Sequence, residues 1–395
     1  MGSLLKDRRA IALLLAATLT IMSNAIISPG LAGIADHFRD TPNAGLLTRL
    51  LVTAPSLLVA ICAPIAGHFA DSFGRKRMIM TGAALFAIAG TGGLWLPTLP
   101  LLLASRLLLG LAVALVMAPL TALAAEYFHG PVRGKFMALQ MAFMSYGGVV
   151  FIGIAGDLAG HSAFLPFVLY FVGLIYLPVM AVSLSEPAHH DHATAHAQAG
   201  GGGQPGWGLM LGVALFLGLM VFVGYYIVPT QIAFYMAEIG HPEPMAASIV
   251  LVAAFFASGS VTFIYPKLRA ALGRAGVMAC GFVLMCAGFE LMGQSSNMVF
   301  ATIAGLLLGT GPGLIVPTVM ASVMDVAPAR RRSLCSGLIG TSIFLGQFLS
   351  PLISQPIIGT HGFTTAFSIF GVAALVCAGL SVLLFRERAV MPVRA

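Results

Sequence analysis

Charge is what this chain has least of: only 8% of its 395 residues are Asp, Glu, Lys or Arg. A water-soluble domain carries about 25%, so a soluble surface cannot be built from this composition. Cysteine is also scarce. Cys62, Cys280, Cys286, Cys335 and Cys377 contain no CxxC pair, and none falls in a segment expected outside the cell. That argues against a disulfide framework or a zinc site and for small apolar fillers. There is no N-x-S/T sequon, which fits a bacterial membrane. No phosphate-binding loop, HExxH or G-x-S-x-G is present, so nothing points to catalysis or to a cofactor.

What is present is hydrophobicity: 59% apolar residues and a mean hydropathy of +0.98. Each bilayer crossing needs about 20 apolar residues. Apolar runs between turn signals lie at 10–35, 46–70, 77–96, 99–126, 135–156 and 164–185, then at 207–236, 244–265, 276–294, 298–325, 334–354 and 364–385. The reading is an all-α membrane protein of twelve transmembrane helices. The first run follows Lys6, Arg8 and Arg9 but continues to Ala35, too long for a signal-peptide core, so it is read as a span.

The basic residues explain both the pI of 9.4 and the orientation. Alternate loops and both ends hold nearly all of them, including Arg75, Lys76, Arg77, Arg133, Lys135, Arg274 and Arg330 to Arg332. The opposite side keeps Arg39 and Arg49. Positive loops stay in the cytoplasm, so both termini are expected there, in a bacterial inner membrane. Nucleic acid is not needed to explain the charge.

Residues 186–206 read EPAHHDHATAHAQAGGGGQPG. Such a polar, Gly-rich stretch buries no core and is expected to be a flexible tether. His189, His190, Asp191, His192 and His196 could in principle hold a divalent metal, but the tether reading is preferred and no metal site is expected. The tether divides a first bundle, 1–185, from a second, 207–395.

The two parts repeat at an offset of 199 residues. Gly74-Arg75 falls on Gly273-Arg274, Leu107-Leu108-Leu109-Gly110 on Leu306-Leu307-Leu308-Gly309, Glu126 on Asp325 and Arg133 on Arg332. Pro29 and Pro229 are one residue out of register. Matches of Gly and Leu are cheap here, but charged matches are not. Six-span halves share one orientation, a parallel repeat that puts the substrate site near midplane between them.

The loop after the second run reads Gly67-His-Phe-Ala-Asp71-Ser-Phe-Gly74-Arg75-Lys76-Arg77. It resembles the major facilitator signature G-x-x-x-D-x-x-G-R-[RK], and the resemblance extends over the whole chain, towards the twelve-span drug:proton antiporters. It implies two six-helix bundles working by alternating access. It further implies a cytoplasmic gate of Gly67, Asp71, Gly74, Arg75, Glu126 and Arg133, with Arg274 and Asp325 as the second-half counterparts. In that gate Arg75 pairs with Glu126, and Asp71 lies near the start of span 11 at Ser333. Ala270 stands where Asp71 would recur, so the second half keeps only part of it. Arg106, in Leu-Ala-Ser-Arg-Leu-Leu-Leu-Gly, resembles the family's R-x-x-x-G in helix 4, which implies a role with the proton or the substrate. An Arg at bilayer depth is expensive and is expected to face a cavity. Span 5 carries Gly147, Gly148, Gly153 and Gly156 but lacks the antiporters' proline.

The pathway residues expected from the spans are Asn24, Asp36, Arg49, Arg106, Gln140, Tyr146, Tyr225, Tyr226, Gln231 and Gln347. Asp36, Glu238 and Glu290 are the acids available to carry a proton, with Asp36 the natural partner of Arg106 or Arg49. So few charges among many Met and Phe suit an amphiphilic compound. The expectation is a monomeric carrier in the lipid bilayer that exports small amphiphilic or drug-like compounds with protons as coupling ion. The alternatives are an uptake symporter for an organic anion and a non-transporting receptor or enzyme on the same scaffold.

Overall fold

The computed structural model describes residues 4–186, 206–328 and 331–385, without the side chains at 64, 67–72, 131 and 333. These residues are helical nearly throughout. In lipid no water can satisfy a backbone N–H or C=O, so each apolar run must close its own hydrogen bonds as a helix.

The first half comprises α1 (Arg8–Ala25), α2 (Leu31–His37), α3 (Ala44–Phe73), α4 (Arg75–Gly90), α5 (Leu99–Tyr127), α6 (Gly130–His161) and α7 (Val172–Ser183). The second comprises α8 (Trp207–Tyr225), α9 (Ile227–Glu238), α10 (Pro244–Gly293), α11 (Met298–Val326) and α12 (Arg332–Phe385). Two helices begin on a side-chain cap: Asp7 accepts from the Arg9 amide, and Asn297 from the Phe300 amide. α1 and α2 form one crossing bent at Ser28–Gly30, and α8 and α9 form another.

Among the described residues ten helical segments are long and apolar enough to cross a membrane, not the expected twelve. The shortfall lies in two elements. α10 runs for 50 residues and α12 for 54. At about 1.5 Å per residue each would be roughly 75–80 Å long, against about 30 Å of hydrocarbon. Each is broken by a glycine in a left-handed conformation, Gly273 (φ 66°) and Gly362 (φ 78°). A side chain there would be strained.

The repeat is visible in the packing. A Cβ on Gly110 would stand 2.2 Å from the Pro55 carbonyl oxygen, and one on Gly309 would stand 2.0 Å from the Ala254 carbonyl oxygen. Gly82 packs on Val116 and Ala112 just as Gly281 packs on Ile315 and Gly311. All of these pairs differ by 199. Gly74 (φ 89°) precedes Arg75 as Gly273 precedes Arg274. Small residues let helices approach closely where no hydrophobic effect drives them together. The same close contacts therefore build both halves.

Candidate functional site

One face of the molecule carries the start of α1, the turns at Gly74 and Gly273 and the end of α12; it is called the terminal face, and the other the far face. The halves meet along two seams, α3 against α12 and α6 against α10.

The first seam is polar. The Asn24 amide nitrogen, with two hydrogens to donate, lies within hydrogen-bonding distance of Ser56 (2.9 Å), Tyr226 (3.1 Å) and the Gln347 side-chain oxygen (3.1 Å), and Ser56 donates to that same oxygen at 2.6 Å. All four residues are buried. Towards the far face Arg49 Nε donates to the Gln231 side-chain oxygen at 2.6 Å, and Arg49 Nη1 to the Gly45 carbonyl at 2.7 Å. The guanidinium lies over the Phe234 ring at 3.7 Å. Gln231 in turn donates to Ser354 and Gln355. Two polar layers thus join the halves from midplane to the far face. On the terminal side of Asn24 lies a cavity of about 610 Å³, lined by Val59, Ala63, Met117, Thr121, Thr341 and Phe344 among others.

The second seam is mostly apolar and tight. Phe255 packs on Gly148, Ser248 on Gly156, and Ser145 on Gly259. Tyr146, half-buried, meets the Ser260 hydroxyl at 3.1 Å and stacks with Phe263. Tyr225 is buried edge-on against Phe255 and Tyr226. Gln140 is half-buried, and its side-chain oxygen has no partner among the described residues.

Two expectations about charge need correcting. Arg106 does not face the space between the halves. It is fully buried inside the first half, where Nη2 donates to the Gly90 carbonyl at 2.7 Å and the guanidinium sits between Phe167 (4.5 Å) and Tyr170 (4.7 Å). The cage exists because Gly90 and Gly93 have no Cβ; one would lie 2.4 Å from Tyr170 and 2.3 Å from Phe167. Cation–π contact partly replaces the missing counter-ion. Asp36 is not the partner of either arginine. Its exposed carboxylate lies 3.9 Å from Arg39, one helical turn on. Glu238 is exposed, and Glu290 accepts from Ser368 inside the second half.

At the terminal face Arg75 pairs with Glu126, and Arg274 with Asp325 at 2.7 Å. Each pair lies within one half. Arg133 is exposed, and Arg332 Nε donates to the Ala327 carbonyl. The side chains of Gly67 and Asp71 lie outside the described residues, as does the His-rich segment 187–205. Sequence reasoning missed Glu186. Its carboxylate accepts from the Arg75 and Lys76 amides at 2.6 and 3.1 Å and caps α4. It also missed Ser56, Phe234 and the ring pair around Arg106. Ser and Phe are too common in this chain to stand out, but an acid just after the last span of a charge-poor half is rare enough to have been noticed.

Residues 13–269 and 214–394 match the Major Facilitator Superfamily. The chain belongs to that superfamily. Multidrug resistance protein 1 of Bacillus subtilis is 30% identical over 149 residues, 36% of this chain and 37% of that protein. The arabinose-proton symporter of Escherichia coli K12 is 29% identical over 177 residues, 42% and 37%. The chain thus matches little more than a third of the length of these curated relatives. Among solved structures a D-xylose-proton symporter superposes with TM-score 0.78 at 15% identity, over 95% of this chain and 96% of that one. The human organic anion transporter MFSD10 gives 0.67 at 17% identity, over 95% and 99%. Those likenesses concern the fold alone.

Proposed function

We propose that this protein is a secondary transporter that exports small amphiphilic compounds by alternating access, and that the structure is its inward-facing state. The observation that carries the reading is the polar seam. Asn24, Ser56, Tyr226 and Gln347 close the pathway on one side of a cavity large enough for a drug-sized ligand. In this reading the terminal face is cytoplasmic, as its basic loops suggest, and the membrane is a bacterial inner membrane. Each of α10 and α12 crosses twice around its glycine break, giving twelve spans in two bundles, 1–185 and 207–395, tethered by 186–206. The protein acts as a monomer.

The direction and the proton coupling rest on kinship with multidrug resistance proteins and with a proton symporter. Coupling draws no support from Asp36, Glu238 or Glu290, since none lies on the seam. Counterflow in proteoliposomes tests carrier function: a labelled compound accumulates against a preloaded unlabelled one. Collapsing the proton gradient in loaded cells tests direction and coupling. An exporter then retains its compound, an uptake symporter loses it, and no response rules out protons.

A further inference from the structure

Arg49 and Arg106 are the buried charged side chains among the described residues, and no carboxylate is buried with them. Arg106 belongs to the first half alone. Arg49 touches both halves, 6% exposed, and its hydrogen-bond and ring partners among the described residues are neutral: the Gln231 carboxamide, the Gly45 carbonyl and the Phe234 ring. A cation taken out of water with no acid beside it is costly, and one that also sits between the two halves points by default to a ligand or a pathway.

The identity of its main partner is informative. Gln231 presents a side-chain oxygen to Nε at 2.6 Å, as a glutamate would, but without the charge. A glutamate at this place would neutralise Arg49 permanently. The carboxamide holds the guanidinium in position while leaving its charge uncompensated. Gln231 has other anchors, Ser354 and Gln355 at 3.2 Å each, so it stays in place if its oxygen loses Arg49. The Phe234 ring gives an apolar wall beside the cation. A planar cation with a displaceable neutral partner and an aromatic neighbour suits a bidentate anion on an apolar body.

We propose that Arg49 is an anion-recognition site in the translocation pathway, and that the compound carried is an amphiphilic organic anion whose carboxylate or sulfonate replaces Gln231 on the guanidinium. The inference deepens the carrier reading and rests on it. Because Arg49–Gln231 also joins the halves, an anion that takes the guanidinium loosens the far-side closure as it binds.

The test uses purified full-length protein in detergent and two tritiated probes of one shape, naphthalene-2-sulfonate and neutral naphthalene-2-sulfonamide, measured by scintillation proximity. Wild type binds the sulfonate at least tenfold more tightly than the sulfonamide. Arg49→Gln abolishes that preference and Arg49→Lys keeps part of it. Gln231→Glu weakens sulfonate binding tenfold or more, with a thermal midpoint no lower than wild type; this variant carries the test if Arg49→Gln does not fold. Equal affinities in wild type, binding of neither probe, or a preference that survives in Arg49→Gln or Gln231→Glu overturns the site. Counterflow separates this failure from that of the carrier reading. Sulfonamide carried as fast as sulfonate removes the anion site and leaves a carrier. Charge-selective binding without counterflow keeps the site and removes the carrier.

Discussion

Asn24→Ala tests whether the polar seam holds the far side shut. Asn24 makes two bonds across the halves, to Tyr226 and Gln347, each 3.1 Å. Its third contact, to Ser56, stays within the first half. Hydrogen bonds between membrane helices average about 0.6 kcal/mol, with net values in folded proteins of about 0.5–1.5 kcal/mol. Two such bonds amount to about 1–3 kcal/mol, or about 5- to 150-fold in a two-state ratio. The bonds exist only while the far side is closed, so their loss favours the state in which it is open. The Ser56–Gln347 bond at 2.6 Å survives the substitution and keeps the shift from being larger. Spin labels at Asp40→Cys and Glu243→Cys, both exposed at the far face, report the opening once the five native cysteines are replaced. The longer-distance population rises at least fivefold in Asn24→Ala. Ser381→Ala, which removes only a bond to the Cys377 carbonyl of its own helix, leaves it unchanged. Identical distance distributions in Asn24→Ala and its parent would refute the idea that this network sets the conformational balance.

The other predictions concern packing, charge and motion. Gly110→Ala and Gly309→Ala each put a Cβ within 2.2 Å of a carbonyl oxygen on a neighbouring helix, and each is expected to destabilise by about 1–3 kcal/mol. Gly212→Ala, with nothing within 4 Å, should be neutral or slightly stabilising in the same thermal unfolding series. Arg106→Met replaces a buried cation that has no acid partner by an apolar chain of similar length, so folding stability should hold or rise by up to about 4 kcal/mol; a fall of more than about 3 kcal/mol would show that the ring cage outweighs the desolvation. Glu186→Gln weakens the cap on α4, and amide exchange at residues 75–78 should speed up several-fold with little change elsewhere. Label pairs across the α3–α12 seam should change distance more during turnover than pairs across α6–α10, and equal changes would contradict the difference between the two seams.

How much of this was legible in the sequence depended on how rare each signal is there. The pairing of Arg75 with Glu126 follows from the resemblance to the family signature, and the offset of 199 carries it to Arg274 and Asp325, an offset that is informative because charges are so few. The apolar runs mark twelve separate segments, whereas the described residues form ten, because α10 and α12 each continue through a glycine as helix on both sides. Arg106 was placed on the wrong side of its helix, because an arginine at bilayer depth says only that it must be sheltered. Which shelter it finds depends on Phe167 and Tyr170, more than 60 residues away, and on two glycines whose lack of a Cβ matters only once the helices are packed. The Arg49–Gln231 contact spans 182 residues, and no local pattern announces it.

The repeat also separates scaffold from pathway. Several residues that both halves keep at the offset of 199 pack or turn: Gly110 with Gly309, Gly82 with Gly281, and Gly74-Arg75 with Gly273-Arg274. Several positions where the halves diverge lie in a seam or at a buried charge. Arg49 corresponds to Ser248, Ser56 to Phe255, Gln347 to Gly148 and Arg106 to Gly305. The middle two correspondences describe one contact in two versions. On the α3–α12 seam Ser56 donates to Gln347; at the equivalent place on the α6–α10 seam Phe255 lies against Gly148. A hydrogen bond between the halves can be exchanged for one to water or to a solute at small net cost. A ring seated on a glycine has no such substitute, and separating the two exposes apolar surface. The α6–α10 seam has hydrogen bonds of its own, Ser248 to the Ile152 carbonyl and Tyr146 with Ser260. Its ring-on-glycine contact nevertheless makes the polar seam the easier one to part, and that is also the seam beside the cavity. In the alternating-access reading proposed above, the apolar seam is suited to serve as the axis about which the halves rock.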